Sequence, residues 1–275
     1  MNMKNIGIVY HPRHEGAASL AERLCQLARE QGVGAWLESA WETGNLKTRV
    51  PGCDLVIAVG GDGTILRAAQ AIMPNVIPLL GIKMGQLGFM TELSAAETIE
   101  RLPEALAGGG WQDERSLLEA RLNGTSDVFY ALNDVVVARG AIARLIQVAV
   151  AIDDGPPSGY KADGIIVATA TGSTAYSLAA GGPVLYPASA DILLTPILPH
   201  PERGFSYVLP PASVVQLTIG RAQQASLTID GHVNRTMESG DVVEVRRSQE
   251  RFVFLRLHPR RPLSARLQNE FKENR

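Results

Sequence analysis

Asp62 lies at the centre of a glycine-rich turn, Gly60-Gly61-Asp62-Gly63-Thr64, which joins an apolar run to a helical pattern. A helix N-terminus offers unsatisfied N–H groups and a partial positive charge, and glycines let the backbone come close to an anion. The turn therefore predicts a phosphate-binding site at Gly60, Gly61, Gly63 and Thr64, with Thr64 as a cap of the helix. The Asp62 carboxylate would repel the anion unless it holds a metal or takes a proton. A glycine-rich turn without a ligand is the alternative.

Two further polar segments stand among apolar strand patterns. The segment 169–177 carries hydroxyl side chains around Gly172, which can cap a helix or donate to sugar and phosphate oxygens. Within it, Tyr176 offers a face on which an adenine can stack. Asn133 and Asp134 have apolar neighbours on both sides, and polar groups buried there need partners. Contacts to ribose hydroxyls or an amide, and a turn between strands, explain the pair equally well.

Two common nucleotide-binding motifs are absent from the sequence. No glycine-rich run ends in Lys-Ser or Lys-Thr, and Leu66 occupies the place of the last glycine in a G-x-G-x-x-G motif. These absences disfavour a P-loop enzyme and a dehydrogenase.

The elements before residue 110 alternate between short apolar runs and helical patterns. Strands are predicted at 6–10, 34–37, 54–59 and 76–82, and helices at 16–31 and 64–73. The strand predicted at 54–59 has a fully apolar Leu-Val-Ile-Ala-Val core of the kind that a parallel sheet buries on both faces. This order predicts an α/β domain over residues 1–110 with a doubly wound, mostly parallel sheet.

Strands follow one another closely beyond the three glycines at 108–110, which are the predicted hinge. The predicted strands are 117–122, 129–138, 146–152, 164–169, 214–219, 225–229, 242–246 and 251–257, with one helical stretch at 173–180. They predict a β-rich domain over residues 111–257. The basic tail 258–275 is expected to form a solvated helix that packs back on the first domain.

The composition is that of a globular protein, with 45% apolar residues, 20% charged residues and a net charge of −2. With this charge, no overall basic field attracts nucleic acid or acidic membranes. Cys25 and Cys53 lack the spacing of a metal site and are expected to be reduced thiols, which favours a reducing compartment. No run approaches the ~18–20 apolar residues of a membrane helix, and the first apolar stretch is too short for a signal peptide. We expect a cytoplasmic protein that binds neither nucleic acid nor membranes.

The motifs, taken in order along the chain, resemble those of the NAD kinase family. They are GGDGT, GIKMGQLGFM, Asn133-Asp134, Asp163-Gly164, TATGSTAYSLAAGGP and Thr195-Pro196-Ile197-Leu198-Pro199-His200. GGDGT is also seen in phosphofructokinases and in diacylglycerol and sphingosine kinases. The combination with TGSTAY and the Pro-Ile-x-Pro-His segment is what makes the resemblance specific.

The resemblance implies an enzyme that phosphorylates the 2′-hydroxyl of the adenosine ribose of NAD, with Asp62 as the catalytic aspartate. The residues assigned to NAD binding are Asp62, Gly63, Arg67, Asn133, Asp134, Arg144, Lys161, Asp163, Thr174, Ala175, Tyr176, Ser177, Leu178, Ala179 and His232. NAD and ATP are the implied small-molecule substrates, and a homodimer or homotetramer is the implied assembly. The sequence departs from the usual family pattern at Lys83, Ala170 and His232, where Asn, Pro and Gln are common.

Asp62 is expected to accept or orient the proton of the 2′-hydroxyl while backbone amides of the turn bind the donor phosphates. The donor is ATP or polyphosphate. Mg²⁺ or another divalent cation must bridge its phosphates, since the site offers few cations besides Lys83 and Arg67. No set of side chains is predicted to ligate a metal.

The sequence also permits two other functions. A lipid kinase would share the GGDGT turn, but it needs an apolar acceptor pocket and a membrane-facing surface, and no basic amphipathic segment is found. A non-catalytic NAD(P) sensor would keep the pocket without turnover.

Overall fold

The computed structural model describes residues 3–85, 88–140, 145–200, 204–220 and 224–260. The predicted NAD contact Arg144 and the predicted terminal helix beyond Arg260 lie outside these residues. The chain divides into two compact units. Unit 1 holds the described residues up to Glu114 together with Phe252–Arg260, and unit 2 is Arg115–Arg251.

Unit 1 is an α/β unit with a parallel sheet, as the sequence predicts. Its strands are β1 (Asn5–Tyr10), β2 (Gly34–Ser39), β3 (Leu55–Gly60), β4 (Leu79–Lys83) and β5 (Leu93–Ser94). Its helices are α1 (Ala17–Glu30), α2 (Thr43–Arg49), α3 (Asp62–Ile72) and α4 (Ala95–Leu106). The four longer strands pair in parallel in the order β2-β1-β3-β4, so that their carboxyl ends meet at one edge of the sheet.

The apolar patterns account for the packing of unit 1. The residues of β3 are all buried, and α1 buries Leu20, Leu24 and Ala28 in the same core cluster as Leu55 and Ile57. Burying a Leu or Ile side chain contributes roughly 1.5–3 kcal/mol, which anchors the strand that leads into the GGDGT turn. No helix among the described residues is long and apolar enough to cross a membrane.

Unit 2 is β-rich, which confirms the second part of the predicted fold class. Its strands are β6 (Trp111–Leu122, which starts in unit 1), β7 (Val128–Ala131), β8 (Asp134–Arg139), β9 (Ile146–Ile152), β10 (Ser158–Ala162), β11 (Gly164–Ala168), β12 (Ile192–Ile197), β13 (Tyr207–Leu209), β14 (Val214–Ile219), β15 (Ala225–Ile229), β16 (Val233–Met237) and β17 (Val242–Arg256, which ends in unit 1). A 3-10 helix, Gly172–Thr174, and a short helix α5, Tyr176–Ala179, interrupt them.

The strands of unit 2 form two antiparallel layers. One is a six-stranded sheet in the order β13-β12-β11-β8-β15-β16, and the other contains β10, β9, β14 and the first part of β17. Alternate residues of both layers, such as Val135 and Val137 from β8 and Leu217 from β14, enter one core cluster. The layers therefore pack face to face, as in a β-sandwich.

Several predicted elements were wrong in extent. The predicted strand 129–138 is two strands, β7 and β8, because the chain bends at Leu132 and Asn133. The predicted strands 242–246 and 251–257 are the single strand β17. The helix after the turn begins at Asp62, two residues earlier than predicted, and its N-cap is Gly61 without a side-chain hydrogen bond. Thr64 therefore does not cap it.

Candidate functional site

The GGDGT turn connects the carboxyl end of β3 to α3. Gly61 is extended, and the N–H groups of Thr64 and Ile65 both donate to its carbonyl, at 2.9 and 3.2 Å. A Cβ at Gly60 would collide with the Thr64 side chain, whereas at Gly61 or Gly63 it would meet no atom of the described residues within 4 Å. Thus Gly60 and Thr64 pack inwards, and the turn is open at Gly61 and Gly63, where an anion can approach the backbone.

The Asp62 carboxylate is held by backbone amides from a later part of unit 1. The N–H of Phe89 donates to its Oδ2 at 3.0 Å, and the N–H of Met90 donates to its Oδ1 at 3.2 Å. Burial raises the pKa of Asp62, while these two hydrogen bonds and the charge of Arg256 act in the opposite direction. Gly88 lies against the same carboxylate so closely that a Cβ there would collide with it. The side chain is therefore fixed in place at the start of α3.

Two cationic side chains belong to the elements beside the turn. Lys83 ends β4 in register with Gly60, so it lies next to the turn across the sheet. Arg67 projects from α3, and its guanidinium stacks 4.4 Å above the ring of Trp41. The guanidinium is attracted to the face of the ring by a cation–π interaction. These are the cations that sequence analysis placed near the donor phosphates.

In unit 2, the predicted pair Asn133 and Asp134 is positioned by a third residue, Asp230. Its carboxylate accepts the N–H groups of Leu132 at 2.9 Å, Asn133 at 2.7 Å and Asp134 at 3.1 Å. Asp230 has a φ of 48°, a left-handed conformation that aspartate tolerates better than most residues. Hydrogen bonds to an ionised acceptor are the stronger kind, so Asp230 acts as an anchor for the bend between β7 and β8.

Both side chains of the pair are buried, and both are able to form a polar contact with a ligand. Asn133 is 7% exposed, and its Oδ1 has no hydrogen-bond partner among the described residues. Asp134 is 5% exposed, and burial, followed by the charge of Asp230, raises its pKa to about 7. A buried acceptor without a partner is costly unless a ligand supplies the donor. The pair therefore has the features of a binding site for a hydroxyl or amide group.

The hydroxyl-rich segment packs on this bend. The Thr169 hydroxyl donates to the Leu132 carbonyl at 2.6 Å and accepts the Gly172 N–H at 3.1 Å. A side chain at Gly172 would collide with the backbone of Asn133, so glycine is what permits this approach. The structure thus brings together two segments that sequence analysis singled out separately.

The residues of the stretch 174–179 differ in exposure and in hydrogen bonding. Tyr176 is 47% exposed, so its ring is available for stacking. Ser177 is fully buried, and its hydroxyl shares a hydrogen bond of 2.9 Å with Thr195. Thr174 donates to the carbonyl of Thr171 at 3.3 Å. Ala175, with φ −100° and ψ −127°, separates the 3-10 helix from α5.

The remaining predicted contacts lie on strand ends and turns of unit 2. Lys161 is on β10, and its carbonyl accepts the N–H of His200 at 2.7 Å. Asp163 lies between β10 and β11 and pairs with Arg139 at 2.9 Å. His232 is half-buried, and its N–H donates to the Ile229 carbonyl at 3.0 Å in the turn after β15. Throughout the residues that the structure describes, no group of three or more His, Cys, Asp or Glu side chains could hold a metal ion.

Comparison with known proteins gives one consistent result. The sequence model of the ATP-NAD kinase N-terminal domain matches residues 29–110, and that of the ATP-NAD kinase C-terminal domain matches residues 132–257. An NAD kinase of Dehalococcoides mccartyi is 49% identical over 98% of this chain and 97% of its own length. An NAD kinase of Chloroflexus aurantiacus is 41% identical over 94% of both chains.

The chain belongs to the NAD kinase family.

Two solved structures share the fold. An NAD kinase from Archaeoglobus fulgidus, in complex with ATP, has a TM-score of 0.78 and 25% identity over 96% of this chain and 99% of its own. Yeast NADH kinase complexed with NADH has a TM-score of 0.87 and 23% identity over 98% of this chain and 86% of its own.

Sequence reasoning missed the residues that hold the others in place. Asp230 was visible only as part of an Asp-Gly turn, a local signal that says nothing of the three amides that it binds. Phe89 and Met90, whose amides bind Asp62, are the last two residues of the GIKMGQLGFM motif, but their side chains give no signal of this role. Arg256 lies in no motif at all.

Proposed function

We propose that Asp62 acts on the 2′-hydroxyl of the adenosine ribose of NAD while a phosphoryl group is transferred to it. As a member of the NAD kinase family, the chain is a phosphotransferase that converts NAD to NADP. The observation that carries the assignment of Asp62 is its carboxylate, fixed by two backbone amides at the start of α3, beside a turn that is open at Gly61 and Gly63.

The environment of Asp62 suits a general base. A base works best when its pKa lies near the operating pH, and burial moves the pKa of Asp62 upwards towards that range. The amides of Phe89 and Met90 bind the ionised form, oppose the rise in pKa and orient the carboxylate. Asp62 would accept the hydroxyl proton as the new O–P bond forms and the bond to the donor's leaving phosphate breaks.

ATP is the donor that the family supports, and an archaeal member of similar fold was solved in complex with ATP. Its phosphates would meet the N–H groups of Gly61 and Gly63, with Lys83 and Arg67 supplying positive charge. The N–H of Thr64 donates to the Gly61 carbonyl, so Gly60 and Thr64 would shape the phosphate-binding turn from inside. The openness of the turn at Gly61 and Gly63 fits a phosphate chain that brings its own Mg²⁺ or another divalent cation. The cation would neutralise charge on the donor. Polyphosphate fits the same backbone site.

The NAD-binding assignments rest on unit 2. Asn133 offers a buried acceptor with no partner in the described residues, and Asp134, with a pKa of about 7, can accept or donate near neutral pH. Exposed Tyr176 offers a stacking face for the adenine. Arg144, Lys161, Asp163, His232 and the other residues of 174–179 complete the proposed set.

We also propose the organisation and setting of the protein. Residues 1–110 would form the domain that carries the GGDGT turn, and residues 111–257 the domain for NAD binding and oligomerisation. These proposed bounds differ from the compact units at residues 111–114 and 252–257, which belong to unit 1. Exposed apolar side chains near the edge strand β13, including Leu198, Phe205 and Val208, support a homodimer or homotetramer. Cys25 and Cys53 are free thiols, which supports a reducing, cytoplasmic setting.

The decisive experiment incubates purified protein with NAD, ATP and Mg²⁺ and measures NADP with an NADP-specific dehydrogenase. Asp62→Asn should lower kcat by about 10²–10⁴-fold, since that is the worth of general-base catalysis. Asp54→Asn is the matched control, because Asp54 also accepts two backbone amides, those of Lys4 and Asn5, at the start of β3. Its kcat should stay at the wild-type value.

Other outcomes separate the alternatives. If the wild type binds NAD without turnover, the result would indicate a sensor. If it neither binds nor converts NAD, the result would favour a lipid kinase. A near-normal rate in Asp62→Asn would remove Asp62 from the mechanism.

A further inference from the structure

Arg256, at the end of β17 in unit 1, is a charged residue that the mechanism above does not use. It is 1% exposed, and its guanidinium pairs with Asp113 (Nε to Oδ2, 3.0 Å) and Glu92 (Nη1 to Oε2, 3.3 Å). Removing such charges from water is costly, so a buried ion pair is a poor way to gain stability. A gain in stability therefore does not explain why these charges are buried.

The same guanidinium also binds the backbone that holds Asp62. Its Nη1 donates to the carbonyls of Met90 at 3.0 Å and Thr91 at 3.3 Å. The N–H of Met90, on the other side of that residue, donates to the Asp62 carboxylate. One residue of backbone thus links Arg256 to the proposed base.

The turn between them has its own internal bonds. The Thr91 hydroxyl accepts the N–H of Gly88 at 3.2 Å and lies 3.3 Å from the Gly88 carbonyl, to which it donates. Glu92 accepts the N–H groups of Leu257 at 2.9 Å and His258 at 2.7 Å with its other oxygen, which ties the end of β17 to the same place. The segment 88–92 is therefore held from within and by Arg256, and its position sets the position of the amides that face Asp62.

We propose that Arg256 is a positioning residue for Asp62, which fixes the segment 88–92 so that the amides of Phe89 and Met90 orient the carboxylate. The inference rests on the proposed role of Asp62 as the base. It requires arginine rather than lysine, because a planar fork can bind Asp113 through Nε and two carbonyls through Nη1 at once. A single ammonium cannot reproduce these directions.

The electrostatics of Asp62 point the same way. Burial raises the pKa of this carboxyl, and the amides of Met90 and Phe89 and the charge of Arg256 lower it. If Arg256 were lost or shortened, the amides would move and the pKa of Asp62 would rise. The acid limb of the pH profile of kcat would then move to higher pH.

The test compares Arg256→Lys with Arg101→Lys. Arg101 also pairs with a carboxylate, that of Glu104, and donates to a backbone carbonyl, that of Leu257 at 3.0 Å, in the same unit. For Arg256→Lys we expect kcat to fall by about ten- to a hundredfold, the scale of a misplaced catalytic group, with KM for NAD within about threefold of wild type. The acid limb should move to higher pH. Arg101→Lys should change neither kcat nor the profile.

A purely structural role predicts a different pattern. Asp113→Asn removes the negative charge beside Arg256 but leaves its bonds to the two carbonyls, so it should lower the melting temperature and preserve kcat and the pH profile. If Asp113→Asn loses as much kcat as Arg256→Lys, or if Arg256→Lys keeps the wild-type profile, the positioning role is wrong.

The positioning role of Arg256 can be tested even if one variant fails to fold. If Arg256→Lys does not fold, Arg256→Gln combined with Asp113→Asn keeps the charge of the cluster unchanged, and the same loss of kcat and shift of the acid limb are expected from it. Asp62→Asn separates the two levels of the proposal. Retained activity in that variant refutes the role of Asp62, whereas an inactive Asp62→Asn with an unchanged Arg256 variant refutes only the role of Arg256.

Discussion

Replacing Asp230 with asparagine tests whether one carboxylate holds the bend that presents Asn133 and Asp134. Asparagine is the informative substitution because it tolerates the left-handed backbone of Asp230, whose φ is 48°. It keeps the oxygen that accepts two of the three amides. It replaces the oxygen that accepts the Leu132 N–H with an NH₂ group, which places two donors against each other.

The expected loss of stability can be worked out from these contacts. Hydrogen bonds to charged groups contribute about 1.5–3 kcal/mol and those to neutral groups about 0.5–1.5, so the two retained bonds lose about 1 kcal/mol each. The Leu132 N–H, buried without an acceptor, costs about 1–3 kcal/mol more. The loss of repulsion between Asp230 and Asp134 offsets part of this cost. We therefore expect the free energy of unfolding to fall by about 3 kcal/mol.

Urea unfolding followed by circular dichroism measures the stability, and isothermal titration calorimetry measures the affinity for NAD. We expect Kd for NAD to rise by about tenfold or more, a change of about 1.4 kcal/mol, because the bend would no longer be held in one position. Asp153→Asn is the matched control. Asp153 also has a left-handed φ, of 52°, and accepts the N–H of Val214 at 2.8 Å, but it lies in an exposed turn.

The control should lose less than about 1 kcal/mol, as expected for an exposed site, and keep the wild-type Kd. Two results would refute the reasoning. One is equal destabilisation by Asp230→Asn and Asp153→Asn. The other is a large loss of stability with no change in NAD affinity, which would mean that the bend does not contact the dinucleotide.

Two further predictions concern the carboxylates of Asp134 and Asp62. The folded-state pKa of Asp134 is about 7, above the unfolded value of about 3.9, so ionisation of Asp134 destabilises the folded protein. This destabilisation is absent below about pH 4, grows between about pH 4 and pH 7, and is constant above about pH 7. Asp134→Asn should lack this loss, and the difference in urea stability between variant and wild type should increase from pH 4 to pH 7; a constant difference would contradict the pKa. Gly88→Ala places a Cβ against the Asp62 carboxylate and should lower kcat by about 10- to 100-fold with little effect on the melting temperature. Gly44→Ala in α2, where a Cβ meets no described atom, is its control, and equal kcat in the two variants would show that the Asp62 side chain has room to move.

The sequence alone determined the features that depend on neighbours along the chain. The apolar run of β3 and the periodic face of α1 have one low-energy way to bury their side chains, and both were predicted close to their observed limits. The position of Asp62 at a strand-to-helix turn also followed from local pattern, although the helix starts at Asp62 rather than Thr64. The division between an α/β part and a β-rich part followed from the spacing of the strands.

Other features depend on residues far apart in the chain, and local pattern could not predict them. The helix α4 contains Pro103, which weakens a helical pattern, yet a capping box of Ser94 and Glu97 and burial of Leu102 support it. The bend at Asn133 looks like the interior of a strand until Asp230, more than ninety residues later, supplies an acceptor for its amides.

Only the tertiary structure decided how the candidate catalytic group is held. Asp62 meets the amides of Phe89 and Met90 after an interval of 27 and 28 residues, and Arg256 reaches the Met90 carbonyl across 166 residues. Backbone N–H and C=O groups are common to nearly every residue, so no residue type marks the ones that serve as ligands. Residue types and their order indicated which carboxylate is the candidate base, and the folding of distant strands beside one another decided its position and the direction of its pKa shift.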